Sequence, residues 1–440
     1  MSAGSTITAA PTRQAAAELP TPAEAALVAA RRRVLIIATC GFTVFFAVWV
    51  MFAIIGIPMR EELGLSNGEF ALLVAIPILT GSVLRVPIGV LTDKVGGRIV
   101  FTALFFLTAI PTYLVSQAHT YVQLLVLAFC VGLAGTSFAV GIAWVSAWYP
   151  ADRQGFALGT FGAGNVGASI TKLLAPLLVT LLATAGALGG VIPGGWRFVP
   201  VVYALMLVAT GIVTWLASPT PDRRPAVGRP VRDQLHPLRY LRVWRFGLYY
   251  IVVFGAYVAL ALWLPKYYVD VYDLDLRKAG LLTALFIFPA SLLRPVGGWL
   301  SDRLGPRPVT YTAFVVMCGA LVGLSFTLGV RAFTALVIVV GVTMGIGKAS
   351  VYKYIADYFP RDVGAVGGLV GAVGGLGGFV LPLLFAWALA ETGRPQSAFV
   401  VLLVASVISL IWLHVVVVHM RRAEKRGTPY PHPDPQSIAP

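Results

Sequence analysis

Apolar residues in this chain come in unbroken runs of about 20, long enough as helices to cross a hydrocarbon layer of about 30 Å. The runs predict twelve membrane-spanning helices, at 34–57, 69–91, 98–117, 121–149, 154–182, 197–217, 245–269, 278–300, 307–328, 332–358, 362–390 and 396–420. They divide the chain into a flexible Ala-, Pro- and Thr-rich tail (1–33), a six-helix half (34–217), a basic linker (218–244), a second half (245–420) and a C-terminal tail (421–440). The first run begins only after Arg31, Arg32 and Arg33, and more runs follow, which is not the layout of a cleavable signal. The expected class is an all-α polytopic membrane protein.

Composition agrees: 58% of the 440 residues are hydrophobic and 12% charged, too few charges to solvate a soluble domain of this length. The net charge of +15 would suit a nucleic-acid binder, but its position argues otherwise. Arg223, Arg224, Arg229, Arg232, Arg239 and Arg242 crowd the linker, and Arg421, Arg422, Lys425 and Arg426 follow the last run. Links on the other side carry Glu61, Glu62, Asp270, Asp273 and Asp275. Positive loops stay in the cytoplasm, so both termini are expected there, with the spans in the inner (plasma) membrane. Cys40, Cys130 and Cys318 are scattered, and His119, His236, His414, His419 and His432 are dispersed. Neither metal-ligand spacing, a nucleophile–base pair nor a phosphate loop occurs, so no enzyme, metal or cofactor is expected.

The halves repeat at an offset of about 209 residues. Leu84-Arg85-Val86-Pro87 through Asp93-Lys94-Val95-Gly96-Gly97-Arg98 aligns with Leu293-Arg294-Pro295-Val296 through Asp302-Arg303-Leu304-Gly305-Pro306-Arg307. Tyr149-Pro150-Ala151-Asp152 aligns with Phe359-Pro360-Arg361-Asp362, and Gly164-Asn165-Val166-Gly167 with Gly374-Gly375-Leu376-Gly377. Such duplication places a substrate site between the halves near mid-membrane. The Gly89-x-x-x-Asp93 and Gly298-x-x-x-Asp302 segments resemble the loop 2–3 and loop 8–9 motif of the major facilitator superfamily. The resemblance implies that fold, in two pseudo-symmetric six-helix halves. Asp93, Arg98, Asp302 and Arg307 are then expected to form a gate, Asp pairing with Arg across the bundle when it closes.

Charge at bilayer depth is costly, about 2.5–3.5 kcal/mol or more per residue. Away from span ends the chain carries Arg85, Arg294, Lys172, Lys348 and Lys353, and no Asp or Glu at comparable depth. Arg85 lies eight residues before Asp93, about 12 Å from that helix end. Arg294 sits equivalently. Two permanently charged forks with no carboxylate between them call for an anion, and a planar bidentate donor suits a flat oxyanion. Arginines that merely cap carbonyls or snorkel are the alternative. Gly81 and Gly89 flank Arg85, and Ala290 and Gly298 flank Arg294, suggesting uncrowded faces for both side chains.

Gly164-Asn165-x-Gly167, Ala175-Pro176-Leu177 and Gly374-x-x-Gly377-Gly378-Phe379-x-Leu381-Pro382 resemble the signature segments of the nitrate/nitrite porter family. That resemblance implies nitrate held by Arg85 and Arg294, with Asn165 nearby and Phe138 and Tyr250 as walls. It also implies nitrate, possible nitrite and proton partners in a lipid bilayer, with a monomer expected. Exchangers of the family carry neutral amides where this chain has lysines. A buried lysine, unlike arginine, can release its proton, so nitrate/proton symport is expected, with Lys172 and Lys353 favoured over Lys348 as coupling groups. Nitrate/nitrite antiport, or exchange of another small anion such as oxalate or formate, are the rival readings; a sensor on the same scaffold is disfavoured by the short cytoplasmic segments.

Overall fold

The computed structural model describes residues 21–181 and 194–426. Its framework is helical. We number the spans α1 (Pro22–Leu63), α2 (Gly68–Val83 plus Arg85–Val95), α3 (Gly97–Val115), α4 (Tyr121–Trp148), α5 (Ala151–Thr180), α6 (Gly195–Ala217), α7 (Leu241–Tyr272), α8 (Arg277–Leu304), α9 (Pro306–Leu324), α10 (Val330–Tyr358), α11 (Val363–Thr392) and α12 (Ser397–Ala423). Eleven are single spans by length and apolarity, and α2 is a pair bent by 41° that makes the twelfth.

Several boundaries differ from the sequence reading, three of them at the tails and the linker. Helix α1 starts at Pro22, inside the stretch expected to be a flexible tail, because Thr21 and Glu24 form a reciprocal capping box and proline suits the first turn. Residues 1–20 lie outside the described residues. Helix α7 starts at Leu241, so the linker is shorter than expected. The last helix runs on to Lys425, carrying Arg421 and Arg422, while 427–440 fall outside the described residues. The fifth span continues to Leu181, and its expected last residue, 182, also lies beyond the described part.

The inner spans are not regular. Prolines following each arginine, Pro87 and Pro295, cannot donate to the preceding turn, and both α2 and α8 break at the arginine. Gly132–Thr136 in α4 and Ala163–Val166 in α5 tighten into 3₁₀ turns, and Ile251–Gly255 in α7 widens into a π turn. Mid-helix changes of this kind mark places where backbone geometry serves a site. In the second half, α10 and α11 run as uninterrupted α-helices.

The halves meet through glycine. A Cβ on Gly89 would lie 2.1 Å from the Gly364 carbonyl oxygen, and one on Gly298 would lie 2.0 Å from that of Gly155. Helices α2 and α11, and α8 and α5, therefore touch backbone to backbone at the end bearing the repeated loops. Gly89 and Gly298 serve this contact rather than clearing a face for the arginines.

Candidate functional site

Arg85 and Arg294 are the first residues after the breaks in α2 and α8, and each is at most 1% exposed. Neither is turned toward lipid. Their guanidinium carbons lie 5.4 and 5.6 Å from the ring centre of the same residue, Phe138. No ion pair joins either to a carboxylate among the described residues.

Their surroundings differ. Arg85 Nε donates to the Gly135 carbonyl in the α4 3₁₀ turn (3.0 Å), and Nη1 donates to the Gly371 carbonyl of α11. Arg85 also lies over Trp49 and Phe254, at 5.4 and 5.8 Å. Arg85 thus does cap carbonyls, the alternative role considered from sequence. Arg294 does not: Nε, Nη1 and Nη2 are all buried with no hydrogen-bond partner. Unmade hydrogen bonds at a buried polar group cost roughly 1–3 kcal/mol, and more when the group is charged. Gly162 of α5 makes room for this fork, since a Cβ there would lie 2.2 Å from Arg294 Cζ.

Asn165 is fully buried in the α5 3₁₀ turn, which packs against the first half of α8, and both its amide oxygen and nitrogen lack partners. Tyr250 Oη faces the Arg294 fork but makes no hydrogen bond within ordinary geometry. Its ring stacks on Phe138 at 6.1 Å and on Phe254 at 5.0 Å, so Phe138 and Tyr250 do share one aromatic wall. Two further members escaped the sequence reading. Phe254 stacks on Phe138 at 6.3 Å, and Tyr352 stands edge-on to both Phe138 and Tyr250 while donating to the Gly367 carbonyl (2.9 Å). Phe254 lies four residues after Tyr250, a helical spacing that could have flagged it.

The three lysines separate. Lys348 is fully buried, donates to the Ala290 carbonyl (3.0 Å) and lies 3.3 Å from the centre of the Tyr257 ring. It is therefore anchored on Arg294's own span. Lys172 reaches across the halves to the Ala261 carbonyl at 3.4 Å and borders a cavity. Lys353, favoured from sequence as a coupling group, points elsewhere. It pairs with Asp357 (2.8 Å) and Asp302 (3.4 Å) and donates to the Ala151 carbonyl. Five residues separate it from Lys348, which turns it off the face that Lys348 uses, toward the repeated loops.

At that end the expected Asp–Arg pairing across the bundle is replaced by another contact. Asp93 Oδ2 accepts from the Gly364 N–H (3.0 Å), at the start of α11. Asp302 accepts from the Gly155 and Phe156 N–H groups (2.8 and 2.7 Å), near the start of α5. Each carboxylate thus meets the free amides and positive dipole end of a helix from the opposite half. The arginines stay within their own halves: Arg98 donates to the Trp215 carbonyl (2.8 Å) and Arg307 to the Tyr358 hydroxyl. The linker joins in, with Arg229 paired to Asp362 (2.8 Å) and the Ala226 N–H on the Asp93 carbonyl (3.1 Å). This end of the bundle is closed.

The Major Facilitator Superfamily pattern matches residues 37–288 and 275–440. A Thermus thermophilus protein named "Probable nitrate/nitrite antiporter NarK1" is 56% identical over 413 residues, covering 90% of this chain and 93% of its own. A Bacillus subtilis "Nitrite extrusion protein" is 32% identical, covering 84% of this chain and 91% of its own. A Staphylococcus epidermidis "Probable nitrate transporter NarT" is 31% identical, covering 88% and 96%. Among solved structures, the transporter FucP in an outward conformation superposes with a TM-score of 0.70 at 17% identity, over 87% of this chain and 99% of that one. That likeness establishes the fold. With the sequence relatives, it identifies the chain as a multi-pass membrane transporter, not an enzyme, belonging to the nitrate/nitrite porter family of the major facilitator superfamily.

Proposed function

We propose that the protein carries nitrate, and nitrite as a smaller planar monoanion, across the inner membrane by alternating access, with both termini cytoplasmic. The observation that carries this is Arg294: a fully buried guanidinium with three unpartnered nitrogens, over the same ring as a second arginine and in no ion pair among the described residues. A flat oxyanion can accept two parallel N–H bonds from such a fork. Asn165 and Tyr250 offer further donors, and the Phe138 and Tyr250 rings suit the face of a planar ion. The family names of the relatives support the same substrates.

For coupling, we favour nitrate/proton symport. Lys348 now takes the place given from sequence to Lys353, because it is buried beside Arg294's span and can exist neutral, which arginine cannot. Antiport is the second reading, favoured by the name of the Thermus relative. Proteoliposomes separate the two. Under symport, nitrate uptake rises with an inward proton gradient, and Lys348→Gln removes that dependence. Uptake indifferent to the gradient but accelerated by internal nitrite would establish antiport instead.

A further inference from the structure

At the end of the bundle away from the closed loops, a cavity opens between the halves, lined by Phe46, Trp49, Ala168, Lys172, Tyr257 and Ala261. Its two aromatic walls are also the outer cover of the central cations. The Trp49 ring lies 5.4 Å from Arg85 Cζ, and the Tyr257 ring lies 3.3 Å from Lys348 Nζ. Trp49 and Tyr257 have their polar atoms already engaged, Nε1 donating to the Pro77 carbonyl (2.8 Å) and Oη bonded to Ser291 Oγ (3.0 Å). They present ring faces, not donors, to the cavity.

One face of α5 connects cavity and site. Asn165, Ser169 and Lys172 follow one another at i, i+4 and i+7, a single stripe along the helix. Asn165 has two unpaired amide atoms, and Ser169, 8% exposed, has an unpaired hydroxyl. Lys172 Nζ makes one long bond, 3.4 Å, out of three it can donate. Ala168 and Lys172 border the cavity, so the stripe joins that cavity to the buried centre. A cation and two unsatisfied donors in sequence are poorly explained by packing alone, since buried polar groups are ordinarily paired.

We propose that Lys172 and Ser169 form an outer waystation that captures the anion before it passes the Trp49–Tyr257 cover, with Asn165 receiving it beyond. This rests on the anion reading of the arginine pair, and it gives Lys172 a recruiting role in place of the proton-coupling role expected from sequence. Capture requires Lys172 to leave the Ala261 carbonyl, which also frees a link between the halves at this end.

The test is initial nitrate uptake from outside into cells lacking other nitrate transport, with Lys172→Gln, Lys172→Arg and Ser169→Ala compared at equal membrane content. Lys172→Gln should raise the KM for external nitrate about tenfold and Ser169→Ala about threefold. Maximal rate and response to the proton gradient should stay within about twofold, and Lys172→Arg should restore most of the affinity. Added salt should raise the wild-type KM toward that of Lys172→Gln, since the attraction of an accessible charge is screened within about 10 Å at 0.1 M. An unchanged KM in Lys172→Gln, or loss of proton dependence with KM intact, overturns the waystation. Absence of nitrate uptake by the wild type would instead overturn the parent reading of the site.

Discussion

The two halves present the same arginine in the same place and treat it differently. In the first half, Arg85 is anchored to two carbonyls, one of them freed by the 3₁₀ turn of α4 and one contributed by glycine-rich α11. In the second half, Arg294 has no such anchor: none of its three nitrogens has a hydrogen-bond partner. The signature segments diverge in parallel. Asn165 aligns with Gly375, where an added Cβ would lie 2.2 Å from Ser82 Oγ and 3.1 Å from Arg85 Nη1. Where one half supplies an amide, the other supplies space. The repeat places the two charges equivalently, and the packing around them leaves one held by carbonyls and the other without a partner.

The largest effect should come from breaking that division at Arg294. Arg294→Lys keeps the charge but loses the planar fork, and should reduce nitrate transport about 100-fold, roughly 3 kcal/mol of lost binding. Arg85→Lys should cost transport about tenfold and additionally lower the unfolding temperature in detergent, because it strips bonds from the Gly135 and Gly371 carbonyls. Equal thermal shifts in the two variants would erase the distinction between anchored and free arginine.

The facing glycines sharpen the same contrast at an intermediate size. Gly162→Ala places a methyl at 2.2 Å from Arg294 Cζ, and should depress nitrate affinity at least tenfold in equilibrium binding to purified protein. Gly375→Ala meets first the end of Ser82, a side chain that can rotate, and should lower affinity only about threefold. The opposite order would mean that the anion depends more on Arg85 than on Arg294.

At the closed end the expected effects are smallest. Asp302 accepts from the Gly155 and Phe156 amides and pairs with Lys353, whereas Asp93 is held by the amides at the start of α11 and joins no ion pair among the described residues. Asp302→Asn should therefore shift the conformational equilibrium further than Asp93→Asn. Deuterium labelling of the backbone amides at the starts of α5 and α11 should increase by about fivefold in the first variant and about twofold in the second. Identical labelling in both would show that the two gates are energetically equivalent.

The twelve spans, the repeat, the buried arginine pair and the lack of balancing carboxylates were all legible in the residues, because hydropathy and charge at bilayer depth depend on residue type alone. The Asp–Arg gate was not. From sequence the opposite charges invite pairing, but the nearest donors to Asp93 and Asp302 are backbone amides at helix starts of the other half, which no one-dimensional spacing reveals. Lys353 misled for a similar reason. Its burial was right and its direction wrong, since the helical turn between residues 348 and 353 aims it at Asp302 and Asp357.

What the sequence determined by itself was the solvent, the duplication and the sign of the site. A chain this apolar must lie in lipid, and two buried cations without acidic partners motivate the anion site proposed above. Only the tertiary structure decided which cation is already satisfied, because hydrogen bonds to Arg85 come from carbonyls on α4 and α11, far away in sequence. Satisfaction of a buried charge is a property of the whole packing around it, not of the residue that carries it.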